Sequence, residues 1–314
     1  MKTYPRKRTR RHASIQLGEG IKLKFPTVVA YARSGVLKEW NNDNMPSYQF
    51  GSKGYIVGQE ALYSSEMFSS RDPKFLIDFA PLFVYKAFEQ TGLRPDMVAL
   101  GLAVGYYSAK DRLLRRVRSF EVNGDKIELN CTVFPQAVGI WLDWSSVNPN
   151  RSNGNYMVLD IGFNTVDIVF IRNGSVSKEG SWMMDGEGTV KIVKHLADII
   201  QQKLSIQVSP HIAKTMFERK SLVVYGKEKR LDRIISGLSS DYAQRLFFLL
   251  QDRCGEEFRN LDGIIIGGGG AYYIRDFIPK QLRNIVEVME EPEFANAKGF
   301  YKSLKEKDNE NKTQ

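Results

Sequence analysis

The sequence predicts an α/β fold, in which helices cover sheets of strands, and two features of the chain support this. Apolar runs typical of strands alternate with stretches of helical periodicity along the 314-residue chain. Hydrophobic residues make up 42% of the sequence, with 18 Phe and 14 Tyr, so the chain can fill the cores of two domains. No apolar run approaches the length of a membrane span.

The first half of the chain begins with strands and then alternates. The predicted strands are at residues 14–16, 21–30, 48–62 and 97–104, and the predicted helices are at 73–91 and 110–119. A hairpin is predicted at 120–133 because Asn123-Gly124 is a strong turn signal. Pro135 is expected to open a helix, since proline suits the first helical position. A polar segment at 145–155 has the composition of a linker between domains.

The second half of the chain shows the same alternation of predicted strands and helices. A hairpin at 156–184 is predicted to turn at Asn173-Gly174. The predicted helices are at 189–204, 211–218, 229–256, 271–277 and 292–304. The predicted strands are at 263–270, where a short buried strand breaks into four glycines, and at 285–289. The last ten residues are polar and are predicted to be disordered.

Charge and cysteine content narrow the classes of function. The formal net charge is +9, part of it from a basic run at residues 6–11. Such a run is either a solvated tail or a direct contact for nucleic acid or an acidic membrane. No zinc-finger or helix-turn-helix signature is present, and no apolar segment of a secretory signal follows the run. Cys131 and Cys254 form no metal-ligand pattern and predict free thiols in a cytoplasmic protein.

Residues 158–170, V-L-D-I-G-F-N-T-V-D-I-V-F, are the strongest candidate for a binding site. Two apolar runs flank a polar bend, which predicts a β-hairpin. Gly162 can adopt positive φ, and Asn164 tolerates it better than most residues. Successive backbone N–H groups of such a bend can bind a phosphate. Asp160, at the end of the first strand, is placed to hold a hydrated metal ion.

Two further segments offer related chemistry. Residues 264–270, I-I-I-G-G-G-G, predict a buried strand that leads into a glycine run and then a helix. Glycines let an anion approach backbone N–H groups closely, although glycine runs also occur at tightly packed turns. Gln136 could orient a water molecule through one donor and one acceptor, and the competing interpretation is an ordinary surface glutamine.

The order of these segments carries a resemblance. Residues 134–139, 159–167, 264–270 and 294–301 (F-A-N-A-K-G-F-Y) resemble the first connecting helix, second phosphate loop, adenosine loop and second connecting helix of the actin, heat-shock-chaperone and sugar-kinase superfamily. Within it, the chain most resembles actin-like ATPases of the ParM type. Each motif is short, and it is their order over residues 14–304 that is specific.

The resemblance implies two ribonuclease-H-like, actin-like domains with ATP (or GTP) and Mg²⁺ in a cleft between them. The first domain would comprise residues 1–134 and 293–314, and the second residues 135–292. Ala295 and Gly299 would let the two connecting helices pack closely. Asp160 would lie near the metal, Gln136 would position the hydrolytic water, and Asp167 would have a structural or metal-shell role. The nucleotide would contact Gly162, Asn164, Thr165, Gly186, Gly188, Gly267, Gly268 and Gly269.

One expected motif is missing from the given sequence. The family begins with a strand hairpin that carries a first phosphate loop, D-x-G-x-x-x-[TS]-K, whereas residues 1–14 contain neither Asp nor Gly. The first domain is therefore expected to lack its first strand hairpin. Three accounts are open: a reading frame that starts too late, a hairpin supplied by another chain, or a loss of catalysis. Hydrolysis of ATP to ADP and phosphate would require that the loop be supplied.

Two functions follow from the resemblance. The first is a filament that self-associates with bound ATP and positions DNA, as in plasmid segregation, through a DNA-binding adaptor protein. The alternative is a degenerate, non-hydrolysing scaffold in a DNA- or membrane-associated complex. The two differ in whether nucleotide affinity depends on Asp160.

Overall fold

A computed structural model describes residues 12–17, 20–32, 46–64, 66–70, 72–208 and 210–313. The described chain forms two compact units. The C-terminal unit is Gln136–Asn296, and the N-terminal unit is the described part of Arg11–Pro135 together with that of Ala297–Gln314. The chain thus passes between units at 135/136 and 296/297, whereas the sequence placed the boundaries at 134/135 and 292/293. The basic run at residues 6–11 lies outside the described residues.

The segment at 145–155, which has the composition of a linker, is not a domain boundary. It lies inside the C-terminal unit and contains the end of a helix and a short 3-10 turn, Pro149–Arg151. Its Ser, Asn and Pro residues serve local turns, which these residue types favour as strongly as linkers do.

The N-terminal unit contains β1 to β10, α1 and α2, and most of α9. Their bounds are His12–Leu17 (β1), Ile21–Pro26 (β2), Val29–Tyr31 (β3), Ser47–Phe50 (β4), Lys53–Val57 (β5), Met67–Phe68 (β6), Pro73–Thr91 (α1), Met97–Leu102 (β7), Lys110–Arg118 (α2), Ser119–Val122 (β8), Asp125–Glu128 (β9), Asn130–Pro135 (β10) and Ala295–Thr313 (α9). The polar tail predicted to be disordered is instead the last part of α9.

Helix α1 matches its prediction at both ends for local reasons. The Asp72 carboxylate accepts a hydrogen bond from Lys74 N at 2.8 Å, which caps the first turn. Gly92 ends the helix at φ +69°, and its N–H donates to Phe88 O at 2.8 Å. The apolar face of α1 packs into the core of this unit. Lys86 is 1% exposed and donates to Glu60 Oε2 at 2.9 Å, which satisfies its charge.

The strands of the N-terminal unit form several small sheets. Strands β4-β5-β3-β6 form one sheet, and β8 pairs with β9. Strand β1 pairs with β2 in antiparallel fashion, and β7 pairs with β10 in parallel, but these two pairs are not joined by hydrogen bonds among the described strands. Side chains of both pairs nonetheless contact one hydrophobic core. Each pair therefore has an edge with no described partner strand. The expected absence of a first hairpin stays a prediction.

The C-terminal unit is built on a five-stranded sheet in the order β13-β12-β11-β16-β17. The strands are Tyr156–Ile161 (β11), Thr165–Arg172 (β12), Ser175–Asp185 (β13), Gly263–Gly267 (β16) and Val286–Val288 (β17), and a separate hairpin comprises Ser221–Val224 (β14) and Lys227–Arg230 (β15). Strand β11 is antiparallel to β12 and parallel to β16, and every residue of β11 and β16 is buried. Strands buried on both faces are continuously apolar, as both sequences are apart from Asp160.

Helices cover both faces of this sheet. They are Val138–Val147 (α3), Val190–Leu204 (α4), Pro210–Arg219 (α5), Asp232–Cys254 (α6), Glu256–Arg259 (α7) and Ala271–Ile274 (α8). Alternate side chains of β11, such as Leu159, share a core with α4, α5 and α6. The opposite face meets α3, where the Trp141 and Tyr156 ring centroids are 5.4 Å apart. The side-chain alternation of a strand thus places Asp160 on the α3 side.

No helix within the described ranges is both long and apolar enough to cross a membrane.

Candidate nucleotide-binding site

The turn between β11 and β12 is tighter than its sequence suggests. Ile161 pairs with Val166, and Gly162 N donates to Thr165 O at 2.9 Å. Neither Gly162 nor Asn164 adopts the positive φ that the sequence had allowed for. Glycine suits this position for another reason, because a Cβ at position 162 would make a tight contact of 3.1 Å with Thr165 O.

The start of α4 fixes the direction of the peptide groups in this turn. Three backbone hydrogen bonds join them: Gly188 N to Asn164 O at 3.1 Å, Thr189 N to Gly162 O at 3.2 Å, and Val190 N to Phe163 O at 2.8 Å. In a trans peptide the carbonyl and the following N–H point in opposite directions. The N–H groups of Phe163, Asn164 and Thr165 therefore point away from α4. Successive N–H groups that share a side form an anion-binding concavity.

The two glycines before α4 differ in what they do. Gly188 is a packing residue, because a Cβ there would lie 2.5 Å from Phe163 O. Gly186 adopts φ +72° and has open space around its missing Cβ. Between them, Glu187 forms ion pairs with Lys191, at 3.1 Å, and with Arg245. These ion pairs tie the segment to α4 and α6.

Asp160 is a buried carboxylate close to the turn. It is 7% exposed, and Asn296 Nδ2 donates to its Oδ2 at 2.7 Å. Burial raises the pKa of Asp160 from 3.8 to about 6, and the hydrogen bond from Asn296 opposes this increase only partly. Asp167, 1% exposed, is its direct cross-strand partner, so two carboxyl groups share one face of the hairpin.

Asn296 was not identified as a site residue from the sequence, although it lies in the quoted motif F-A-N-A-K-G-F-Y. Its Oδ1 accepts a hydrogen bond from Ala137 N at 3.0 Å, while its Nδ2 donates to Asp160. Only the small residues of this motif, Ala295 and Gly299, were predicted from the sequence, as contacts between helices. The only feature of the sequence that could have indicated it is a polar asparagine between two alanines.

Gln136 lies in a turn rather than in a helix. Pro135 is the last residue of β10, Gln136 and Ala137 form the turn, and α3 begins at Val138. The prediction that Pro135 opens the helix is wrong. Strand β10 pairs with β7 alone among the described strands, so proline is tolerated at its end. Gln136 is half-buried and is adjacent to the residue that Asn296 binds.

The glycine run after β16 serves packing more than the sequence suggested. A Cβ at Gly267 would lie 2.5 Å from Ile140 Cδ1. Gly268 has φ +81°, and a Cβ there would overlap the Asp160 carboxylate and lie 2.5 Å from Ile161 O. At Gly269 the nearest atom would be Glu293 Cβ at 4.0 Å. Of the three predicted contacts, Gly269 is the one with space beside it for a ligand.

Lys214 in α5 was also missed. It is 4% exposed, and its Nζ lies 4.6 Å from the ring centroid of Phe163 in the β11–β12 turn. A cation over an aromatic face at this distance is attracted to the ring. Nothing in the sequence indicated this residue, because its helix joins the turn only in the folded unit.

The carboxylates suit a magnesium ion that is bound together with a nucleotide. No group of three or more His, Cys, Asp or Glu side chains able to hold a metal occurs among the described residues. Mg²⁺ commonly uses one or two carboxylates and completes its shell with water and substrate phosphates. Asp160, with Asp167 beside it, fits that pattern.

Two family profiles together match most of the chain. The profile of the N-terminal domain of actin-like proteins matches residues 12–139, and the profile of the C-terminal domain of archaeal MreB-like actin homologues matches residues 158–280. The chain belongs to the actin-like proteins. The fold predicted from the ordered motifs is thereby confirmed.

Solved structures resemble this actin-like protein over nearly its whole length. The pCBH ParM non-polymerisable quadruple mutant is 19% identical, with a TM-score of 0.72, over 91% of this chain and 94% of that chain. The 15-stranded ParM filament from Clostridium botulinum is 17% identical, with a TM-score of 0.72, over 91% and 93%. The archaeal actin homolog Ta0583 in complex with ADP is 17% identical, with a TM-score of 0.72, over 91% and 94%. No curated protein sequence matches the chain.

Proposed function

We propose that this actin-like protein binds a purine nucleoside triphosphate with Mg²⁺ at the β11–β12 turn and assembles with itself into filaments. The observation that carries the proposal is the set of three successive N–H groups, of Phe163, Asn164 and Thr165, that point away from α4. They lie next to a strand whose second-to-last residue is a buried carboxylate. An ADP complex of a protein with the same fold and a filament of another support it.

Each residue of the site has a role in this proposal. The turn amides would bind phosphate oxygens, Lys214 would add positive charge, and Gly269 would leave room for the α-phosphate and nucleoside. Asp160 would hold Mg²⁺ directly or through its water, with Asp167 in the outer shell. The ion would neutralise charge on the phosphates when bound. Gln136 would orient the water that attacks the γ-phosphate.

Nucleotide binding is tested with a fluorescent ATP analogue titrated into the full chain with Mg²⁺ or with a chelator. We expect micromolar binding that depends on Mg²⁺ and weakens at least tenfold in Asp160→Ala. Asp232→Ala is the matched control, because Asp232 is an exposed aspartate at the start of α6 that pairs with Arg230. Absence of binding at high protein concentration would reject the proposal. Binding insensitive to Asp160→Ala would instead favour the degenerate scaffold.

Assembly is tested by light scattering and pelleting with ATP, ADP or no nucleotide, alongside phosphate release. We expect assembly that requires ATP and Mg²⁺ and is reduced in Asp160→Ala. A protein that binds ATP but neither assembles nor releases phosphate would be the non-hydrolysing scaffold.

We also propose that the filaments position DNA through an adaptor protein, a role that the likeness to ParM structures supports. A plasmid carrying this gene in its native context should be lost faster when Asp160→Ala is introduced. An unchanged loss rate would reject this role without affecting nucleotide binding.

A further inference from the structure

One side chain joins the buried carboxylate to the turn that carries Gln136. Asn296 donates through Nδ2 to Asp160 Oδ2 at 2.7 Å and accepts through Oδ1 from Ala137 N at 3.0 Å. An asparagine side chain offers both a donor and an acceptor, and here each has a partner. The flipped amide would present oxygen to a carboxylate and N–H₂ to an N–H. The orientation is therefore fixed by its two partners.

The turn that Asn296 holds is strained. Ala137 adopts φ +69° and is fully buried. A non-glycine residue in this region is strained and persists only where its surroundings impose it. Ala137 is bonded on both sides, because its N–H donates to Asn296 and its carbonyl accepts from Trp141 N at 3.1 Å. Loss of the Asn296 bond would release the side of the turn that adjoins Gln136.

The same residues mark both places where the chain passes between units. The first passage is at Pro135/Gln136 and the second at Asn296/Ala297. Asn296 is thus the last residue of the C-terminal unit, and Ala137 is its second residue. A single side chain links both passages to Asp160.

We propose that Asn296 is a positioning residue that couples the Asp160 carboxylate to the Gln136–Ala137 turn and so sets the direction of Gln136. The inference rests on the proposed nucleotide hydrolysis for its functional consequence, but not for the bonds themselves. Asn296 is not assigned any contact with the nucleotide. It therefore contributes to the rate of hydrolysis and not to affinity.

The bonds are tested first, by amide hydrogen exchange of the nucleotide-free protein. The Ala137 amide should be protected in the parent and lose at least tenfold protection in Asn296→Ala. Asn296→Asp keeps an acceptor for Ala137 but places a second acceptor against Asp160, so protection should also fall. The double variant Asp160→Asn/Asn296→Asp again places a hydrogen-bond donor opposite an acceptor, and it should restore protection of the Ala137 amide. Unchanged protection of Ala137 in Asn296→Ala would overturn the proposal.

The functional consequence is tested by hydrolysis and nucleotide affinity. A misplaced catalytic group costs on the order of a hundredfold in rate, so kcat should fall by about ten- to hundredfold in Asn296→Ala, while the Kd for ATP stays within about twofold. The matched control is Asn148→Ala, which removes an asparagine bond to Trp144 O of 2.9 Å within the same unit. It should leave kcat unchanged. The swapped double variant should recover protection of Ala137 without recovering activity, because the carboxylate has moved.

The outcomes separate this inference from the proposed function. A parent protein that neither binds nor hydrolyses ATP would reject the function, and the coupling would then be decided by amide exchange alone. Loss of affinity in Asn296→Ala as large as in Asp160→Ala would show that Asn296 is a binding residue, which overturns its positioning role. An unchanged kcat with lost protection would overturn it as well.

Discussion

Replacing Asp160 by asparagine should remove a specific pH dependence from the stability of the nucleotide-free protein. Burial raises the pKa of this carboxyl from 3.8 to about 6. Between these values the folded protein holds a proton that the unfolded chain has lost. The stabilising contribution is therefore complete below pH 4 and is lost as the pH rises through 6. At pH 7 the ionised, buried carboxylate costs roughly 3 kcal/mol relative to an unperturbed one, since one pKa unit is about 1.4 kcal/mol.

The measurement compares unfolding at pH 5 and pH 7, with a chelator and no nucleotide. Linkage gives a loss of about 1 kcal/mol between these pH values for a group with these pKa values. The parent should therefore lose about 1 kcal/mol more than Asp160→Asn, or about 2–4 °C in Tm for a chain of this size. Because each protein is compared with itself at the two pH values, the pH dependence of the titratable groups common to both proteins cancels.

Asp232→Asn is the control, because the pKa of Asp232 is shifted in the opposite direction from that of Asp160. The hydrogen bond from Arg230 lowers the pKa of Asp232, so its titration lies below pH 4 and should not alter the change from pH 5 to pH 7. If Asp160→Asn keeps the full pH dependence of the parent, the buried carboxyl does not titrate near pH 6.

Three further predictions follow from the geometry. Gly268→Ala should unfold the protein or destabilise it by more than about 3 kcal/mol, because Gly268 has a positive φ and a Cβ there would overlap the Asp160 carboxylate. Gly269→Ala should instead stay folded and weaken nucleotide binding. Thermal melts and nucleotide titrations distinguish the two variants. If Lys214 adds positive charge to the site as proposed, Lys214→Gln should raise the Kd for ATP about tenfold, while the exposed Lys203→Gln should not. Tyr225→Asn should stabilise the protein by about 1 kcal/mol in urea unfolding, because Tyr225 is fully exposed at φ +48° and asparagine tolerates that region better; a loss of stability would contradict this.

Local patterns in the sequence predicted several elements correctly. Helix α1 begins and ends where Asp72, Pro73 and Gly92 indicate, because its caps are local hydrogen bonds. The turns at Asn123-Gly124 and Asn173-Gly174 have the positive φ that their residue types allow. The hairpin β14–β15 was missed, and its strand β15, K-E-K-R, is exposed at every position and has no apolar alternation to reveal it.

The candidate site was only partly accessible from the sequence. Asp160 and the Gly162–Thr165 turn belong to one hairpin, and their chemistry was evident from adjacent residues. Asn296 lies 136 residues from Asp160 and 159 from Ala137, and these contacts exist only after the chain has folded. Lys214 likewise lies next to Phe163 only after the chain has folded.

By itself, the sequence determined the α/β class, the actin-like order of motifs and the hairpin that could bind phosphate, because these depend on periodicity and on neighbours along the chain. Only the tertiary structure decided which glycines serve packing and which leaves space, since that depends on what lies opposite each missing Cβ. It also decided that Asp160 is buried with a raised pKa, because desolvation comes from the surrounding fold. The tie from Asp160 through Asn296 to Ala137 has the same origin: it joins three segments that are brought together only by folding.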